Sequence, residues 1–141
     1  MNLKKNLKKL MMLVALLTCS TFCMAQKQDL SRLITAIATV ESKLNEKAVS
    51  SDCVGYLQIR PVLVRECNVI LKALKQDKRY TLNDRYSKEK SIEMFYLIQS
   101  KYNPSFDIVR ALCIWNAGPF SKRIPRAYVA RIMKVYHKLY D

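Results

Sequence analysis

The sequence predicts a mainly α single domain of about five or more helices, and three observations carry that expectation. Five stretches repeat their apolar residues at intervals of three and four, the period of an amphipathic helix. The 141 residues include two glycines and four prolines, where an average chain of this length would hold roughly ten glycines. The segment between the first two helical stretches, residues 50–59, has Gly55 as its only flexible point and room for no more than a turn or a very small strand pair.

The N-terminus has a separate character. Residues 1–9 carry four lysines and no acid, Leu10 to Phe22 is apolar, and Cys23-Met24-Ala25 places small residues three and one before a cleavage point. This is the pattern of a secretory signal peptide, so residues 1–25 are expected to be removed and residues 26–141 to form the exported domain. The apolar run falls short of the roughly 20 residues that cross a bilayer, and no later run is long enough, so no integral span is expected in the mature chain. A lipid anchor on Cys19 is disfavoured by Thr18, which is bulkier than the residue that usually precedes such a site.

The helices follow in order. Residues 29–44 carry Leu30, Leu33, Ile34, Ile37, Ala38 and Val40 at helical spacing, with Asp29 or Ser31 able to cap the start. Pro61, tolerated in a first turn, opens a second helix through Val64, Ile70 and Leu74. Residues 76–84 are polar and read as a loop. Ser87 caps a third helix with Ile92, Phe95, Ile98 and Tyr102, which Asn103-Pro104 stops. The fourth covers residues 106–116, with Ile108, Leu112 and Trp115 on one face; Gly118 and Pro119 end it. The last covers residues 125–139, with Tyr128, Ile132, Val135 and Leu139 in register.

Counting excludes whole classes of chemistry. Gly55 and Gly118 are too far apart for a dinucleotide fingerprint or a phosphate loop, and a single histidine, His137, rules out a zinc-protease helix. No metal or cofactor is expected. The formal charge of +14, which loss of the leader's four lysines lowers to +10, favours a polyanionic partner. Export directs that preference to envelope polymer or lipid rather than nucleic acid. Three cysteines remain after the leader. Cys113 lies in an apolar stretch and reads as a small buried hydrophobe; whether Cys53 and Cys67 pair is left open, and an odd count leaves at least one thiol.

Glu41 breaks the pattern of its helix. It follows Ile34, Ile37 and Ala38 by seven, four and three positions, which puts it on their apolar face. A carboxyl there loses hydration and tends to keep its proton, as a general acid must. Periodicity alone leaves a second reading open, in which Glu41 sits at the edge of the stripe and pairs with Lys43, Lys47 or an arginine.

Three words in the chain resemble the signature segments of the soluble lytic transglycosylase family, within the lysozyme-like superfamily. They are Glu41-Ser42-Lys43-Leu44-Asn45, Val54-Gly55-Tyr56-Leu57-Gln58-Ile59, and Ala111 to Pro119 with Trp115-Asn116-Ala117-Gly118 at its centre. Tyr128-Val129 matches a fourth element. Gln58 follows Glu41 by seventeen positions and Asn116 follows Gln58 by fifty-eight; the ordered set is far more specific than any word alone. The resemblance implies a lysozyme-like fold with Glu41 as catalytic acid and base, and Gln58, Asn116 and Tyr128 at the substrate. It implies that Ser42 is a local structural partner, and that Gly55 lets the turn pass near the sugar. Tyr56 and Leu57 stand where the family usually has leucine and methionine, and Trp115 where it usually has tyrosine, so Tyr56 and Trp115 retain a stacking or wall role.

The activity so implied is cleavage of the β-1,4 bond between N-acetylmuramic acid and N-acetylglucosamine in peptidoglycan, leaving 1,6-anhydro ends. One carboxylate suffices when the muramyl 6-hydroxyl is the nucleophile, whereas most glycosidases pair two. Asp52 is the candidate second carboxylate of the competing reading, a hydrolytic muramidase; an inactive wall-binding relative is another. The expected partner is the glycan strand, acted on by a monomer in the periplasm or envelope. A small enzyme recruited to open the wall locally for a secretion or conjugation apparatus would fit.

Overall fold

The computed structural model describes residues 7–9, 11, 12 and 29–141. Residues 7–9, 11 and 12 are helical, and the expected cleavage point after Ala25 lies outside the described residues. None of the described helices is long and apolar enough to cross a membrane.

The domain is mainly helical, as its apolar spacing requires. Helix α1 covers residues 29–41, followed by a short antiparallel pair, β1 (Val49–Ser50) and β2 (Cys53–Val54). Then come α2 (Pro61–Ala73), a 3-10 helix (Leu82–Tyr86), α3 (Lys88–Tyr102), α4 (Ile108–Ala117) and α5 (Arg126–Tyr140). The expected starts at Pro61 and Ser87 hold: Pro61 takes the first position of α2, and the Ser87 hydroxyl accepts from the Lys90 amide.

Three expected boundaries shift. Helix α1 stops at Glu41 instead of continuing to 44, because Lys43 and Leu44 adopt left-handed conformations. The Ala38 carbonyl takes both the Ser42 and Leu44 amides there, at 3.0 and 3.1 Å. Helix α4 starts two residues late, since Phe106 has a φ of +52° and Asp107 caps the helix by accepting from the Arg110 amide at 2.6 Å. The end of the expected loop 76–84 coils into the 3-10 helix, closed by a reciprocal cap between Thr81 and Asp84.

The core joins Leu30, Leu33, Ile34 and Ile37 of α1 to Met94, Phe95 and Ile98 of α3, Leu112 of α4 and Ile132 of α5. Helix α3 is the centre of this arrangement, packing against α2, the 3-10 helix and α4. A buried polar staple fixes the turn from α3 to α4. Asn103 donates to Gln99 at 3.1 Å and to the Asp107 carbonyl at 2.9 Å, and accepts from the Asp107 amide. Such groups are tolerated inside because they satisfy each other. The three cysteines after the leader are free, Cys67 and Cys113 buried and Cys53 half-buried; no Cys53–Cys67 bridge forms. Burial pushes the Cys67 thiol up to about 12, with the Glu66 charge adding to it.

Candidate active site

One cleft of about 380 Å³ gathers residues from every word singled out in the sequence. Glu41 lines it from the end of α1, Gln58 from the turn after β2, Trp115, Asn116 and Gly118 from the end of α4, and Tyr128 from α5. Its size is that of a small-molecule site. Glu41 is half-buried, so the apolar face that carries it opens onto the cleft rather than closing over it.

The end of α1 and the turn that carries Gln58 are locked together. The Ser42 hydroxyl lies 3.0 Å from the Ala38 carbonyl and 2.8 Å from the Tyr56 carbonyl, so its one proton links helix and turn. The turn closes on itself through paired backbone bonds between Val54 and Ile59 and a bond from the Gln58 amide to the Gly55 carbonyl. Gln58 takes a φ of +51°, uncommon for a residue with a side chain. Its Nε2 donates to the carbonyls of Ala48 and Gly55 at 3.2 and 3.0 Å, which leaves Oε1 without a partner among the described residues.

The Tyr128 hydroxyl is the one buried side-chain polar atom among the described residues with no hydrogen-bond partner. Burial pushes its phenol well above the ordinary tyrosine range, and the charge and acceptor oxygens of the Glu41 carboxylate reinforce the shift. Glu41 therefore lies close enough to act on the hydroxyl while falling short of hydrogen-bond geometry. Trp115 is held by its ring contact with Phe95, 4.9 Å between centroids. Asn116 is exposed at the rim.

Two expected site residues lie elsewhere. Tyr56 does not line the cleft: it is 5% exposed and packs into the core, with Lys88 Nζ 5.2 Å from its ring centre. Gln58, two residues further on, lines the cleft instead. Gly55 does not line the cleft either. A Cβ on it would stand 1.8 Å from the Arg85 carbonyl oxygen, so its missing side chain makes room for the 3-10 helix. Asp52, the candidate second carboxylate, is likewise absent from the cleft wall; it is exposed and 3.9 Å from Arg60.

Sequence reading missed four contributors. Arg85, between the stretch read as loop and the Ser87 cap, is buried and donates to the carbonyls of Leu82, Asp52 and Ile59, stapling the turn in place. Arg60, Glu66 and Phe120 line the cleft itself. Cys53, followed by Asp52 and Glu41, holds the Arg60 guanidinium firmly in its charged form. The available signal was the spacing of Val62 and Glu66, four apart on one face of α2, and the position of Phe120 directly after Gly118-Pro119. Among the described residues no group of three or more His, Cys, Asp or Glu could hold a metal ion.

The model of the Transglycosylase SLT domain matches residues 18–133, and the chain belongs to that family. The lysozyme-like architecture read from the sequence is the family's own, and peptidoglycan glycan strands are the substrate class that membership implies. No curated protein and no solved structure matches the chain.

Proposed function

We propose that this protein is an exported lytic transglycosylase that uses Glu41 as its single acid and base. Glu41 protonates the oxygen joining N-acetylmuramic acid to N-acetylglucosamine, and the C1–O bond breaks. The resulting carboxylate takes the proton from the muramyl 6-hydroxyl, whose oxygen bonds to C1. The products are a 1,6-anhydro-muramyl end and a free 4-hydroxyl, and no water is consumed. An intramolecular nucleophile of this kind needs no second carboxylate.

The observation that carries the reading is the pairing of Glu41 with the unsatisfied Tyr128 hydroxyl inside the cleft. A donor without a partner can turn to the carboxylate as charge develops on Glu41, with no existing bond to break. Gln58 Oε1 and Asn116 then face the sugars as polar contacts, with Trp115 as wall, while Ser42 and Gly118 support the geometry. The absence of Asp52 from the cleft wall counts against the hydrolytic alternative.

The leader's charge and apolar pattern support export to the envelope. The cationic surface supports action on an anionic wall. Between Ile108 and Tyr140 there are seven lysines and arginines and no acidic residue, and none of the seven forms an ion pair among the described residues. Digestion of purified peptidoglycan by wild type and Glu41→Gln tests the assignment. Loss of cleavage in a folded variant is expected; cleavage at the wild-type rate would remove Glu41 from its role.

A further inference from the structure

We propose that the Glu66 end of the cleft is a second sugar-recognition site, in which Phe120 and Glu66 hold an N-acetylated sugar of the strand away from the bond that Glu41 attacks. This rests on the reading of the cleft as a glycan-strand site. Phe120 is 82% exposed, yet it lines the cleft and packs edge to face with the Tyr102 ring, with ring centroids 5.5 Å apart at 79°. Val62, itself 57% exposed, and Leu63 extend the apolar floor.

Glu66 supplies the polar half. Its Oε1 accepts from the Tyr102 hydroxyl and lies 3.6 Å from Lys101 Nζ. Both partners hold the same oxygen, and Oε2 has none among the described residues. Burial, and then Glu66, keep the Tyr102 phenol protonated as that donor. Tyr102 thus meets the Phe120 ring with its own ring and the Glu66 carboxylate with its hydroxyl. A flat apolar face beside a fixed acceptor suits a pyranose: the C–H face of the sugar lies on the ring, and a hydroxyl or acetamido N–H donates to the carboxylate.

This group is separate from the catalytic one. Glu66 stands on α2 and its partner Tyr102 at the end of α3, whereas Glu41 and Tyr128 stand on α1 and α5. The lysine already beside Glu66 disfavours a cationic ligand and leaves a neutral donor as the better fit.

Calorimetric titration with the β-1,4-linked N-acetylglucosamine tetramer tests the site in a Glu41→Gln background, where turnover plays no part. Adding Phe120→Ala is expected to weaken tetramer binding about tenfold, the equivalent of about 1.4 kcal/mol, and Glu66→Gln to weaken it several-fold. In the Glu41-intact protein Phe120→Ala should raise KM on glycan strands with kcat within about twofold, as loss of uniform binding does. Tetramer affinity unchanged by Phe120→Ala, or no tetramer binding without that substitution, overturns the site. Failure of wild type to cleave peptidoglycan, with Phe120-dependent tetramer binding intact, instead overturns the catalytic reading alone.

Discussion

The Tyr128 hydroxyl is buried beside Glu41 with no hydrogen-bond partner among the described residues, an arrangement that trades stability for a donor at the reacting carboxyl. Leaving a buried hydroxyl unsatisfied costs about 1–3 kcal/mol. Tyr128→Phe is therefore expected to match or exceed wild type in thermal stability while losing at least about tenfold in glycan cleavage. Thermal unfolding and a cleavage assay on the same preparation check it; a destabilised variant of normal activity would contradict this role.

The two glycines separate by mechanism. Both have left-handed φ values, +83° at Gly55 and +87° at Gly118. A Cβ at Gly55 meets backbone oxygen at 1.8 Å, whereas one at Gly118 meets nothing within 4 Å. Gly118→Ala is expected to cost about 1–3 kcal/mol of backbone strain, since a φ of 87° with a ψ of 159° is almost confined to glycine, and Gly55→Ala about 4 kcal/mol or more, because the 3-10 helix must move. Denaturant unfolding of the two variants measures the difference.

Arg85 bridges three carbonyls and forms no ion pair among the described residues. Arg85→Met keeps the bulk and removes the donors, so a loss of about 2–4 kcal/mol is expected. Cleavage should fall too, since the Asp52 and Ile59 carbonyls that Arg85 holds bracket the turn bearing Gln58. Urea titration checks the first effect and steady-state kinetics the second.

How far the sequence could foresee this is set by the range of each interaction. Helix starts at Pro61 and Ser87, the stop at Asn103 and the carboxyl at Glu41 are written in local spacing and capping chemistry. Arg85 in a polar stretch, Tyr56 turning inward and Glu66 meeting Tyr102 depend on residues brought together only by packing. Tyr56 also shows why a matched word does not place every side chain: it is buried in the core while Gln58, two residues on, lines the cleft. The end of α1 escaped notice for the same reason, since nothing in Lys43 or Leu44 announces a left-handed turn.

Alkaline pH should destabilise the fold through Cys67. Its thiol is pushed from its ordinary value of 9.0 up to about 12 in the folded state, so only the unfolded chain ionises between those values. The unfolded state then binds fewer protons and stability falls as pH rises through that window. The effect reaches on the order of 4 kcal/mol at full ionisation. Below about pH 9 it is absent. Unfolding free energies measured from pH 8 to 11 should decline in wild type, and decline less steeply in Cys67→Val.

The central claim concerns the bond made at the muramyl anomeric carbon. Mass spectrometry of the fragments released from purified peptidoglycan reads it directly. The single-carboxylate account predicts glycan ends one water lighter than hydrolysis products, carrying 1,6-anhydro rings, and their disappearance in Glu41→Gln. Reducing muramyl ends released at wild-type Glu41 would contradict it.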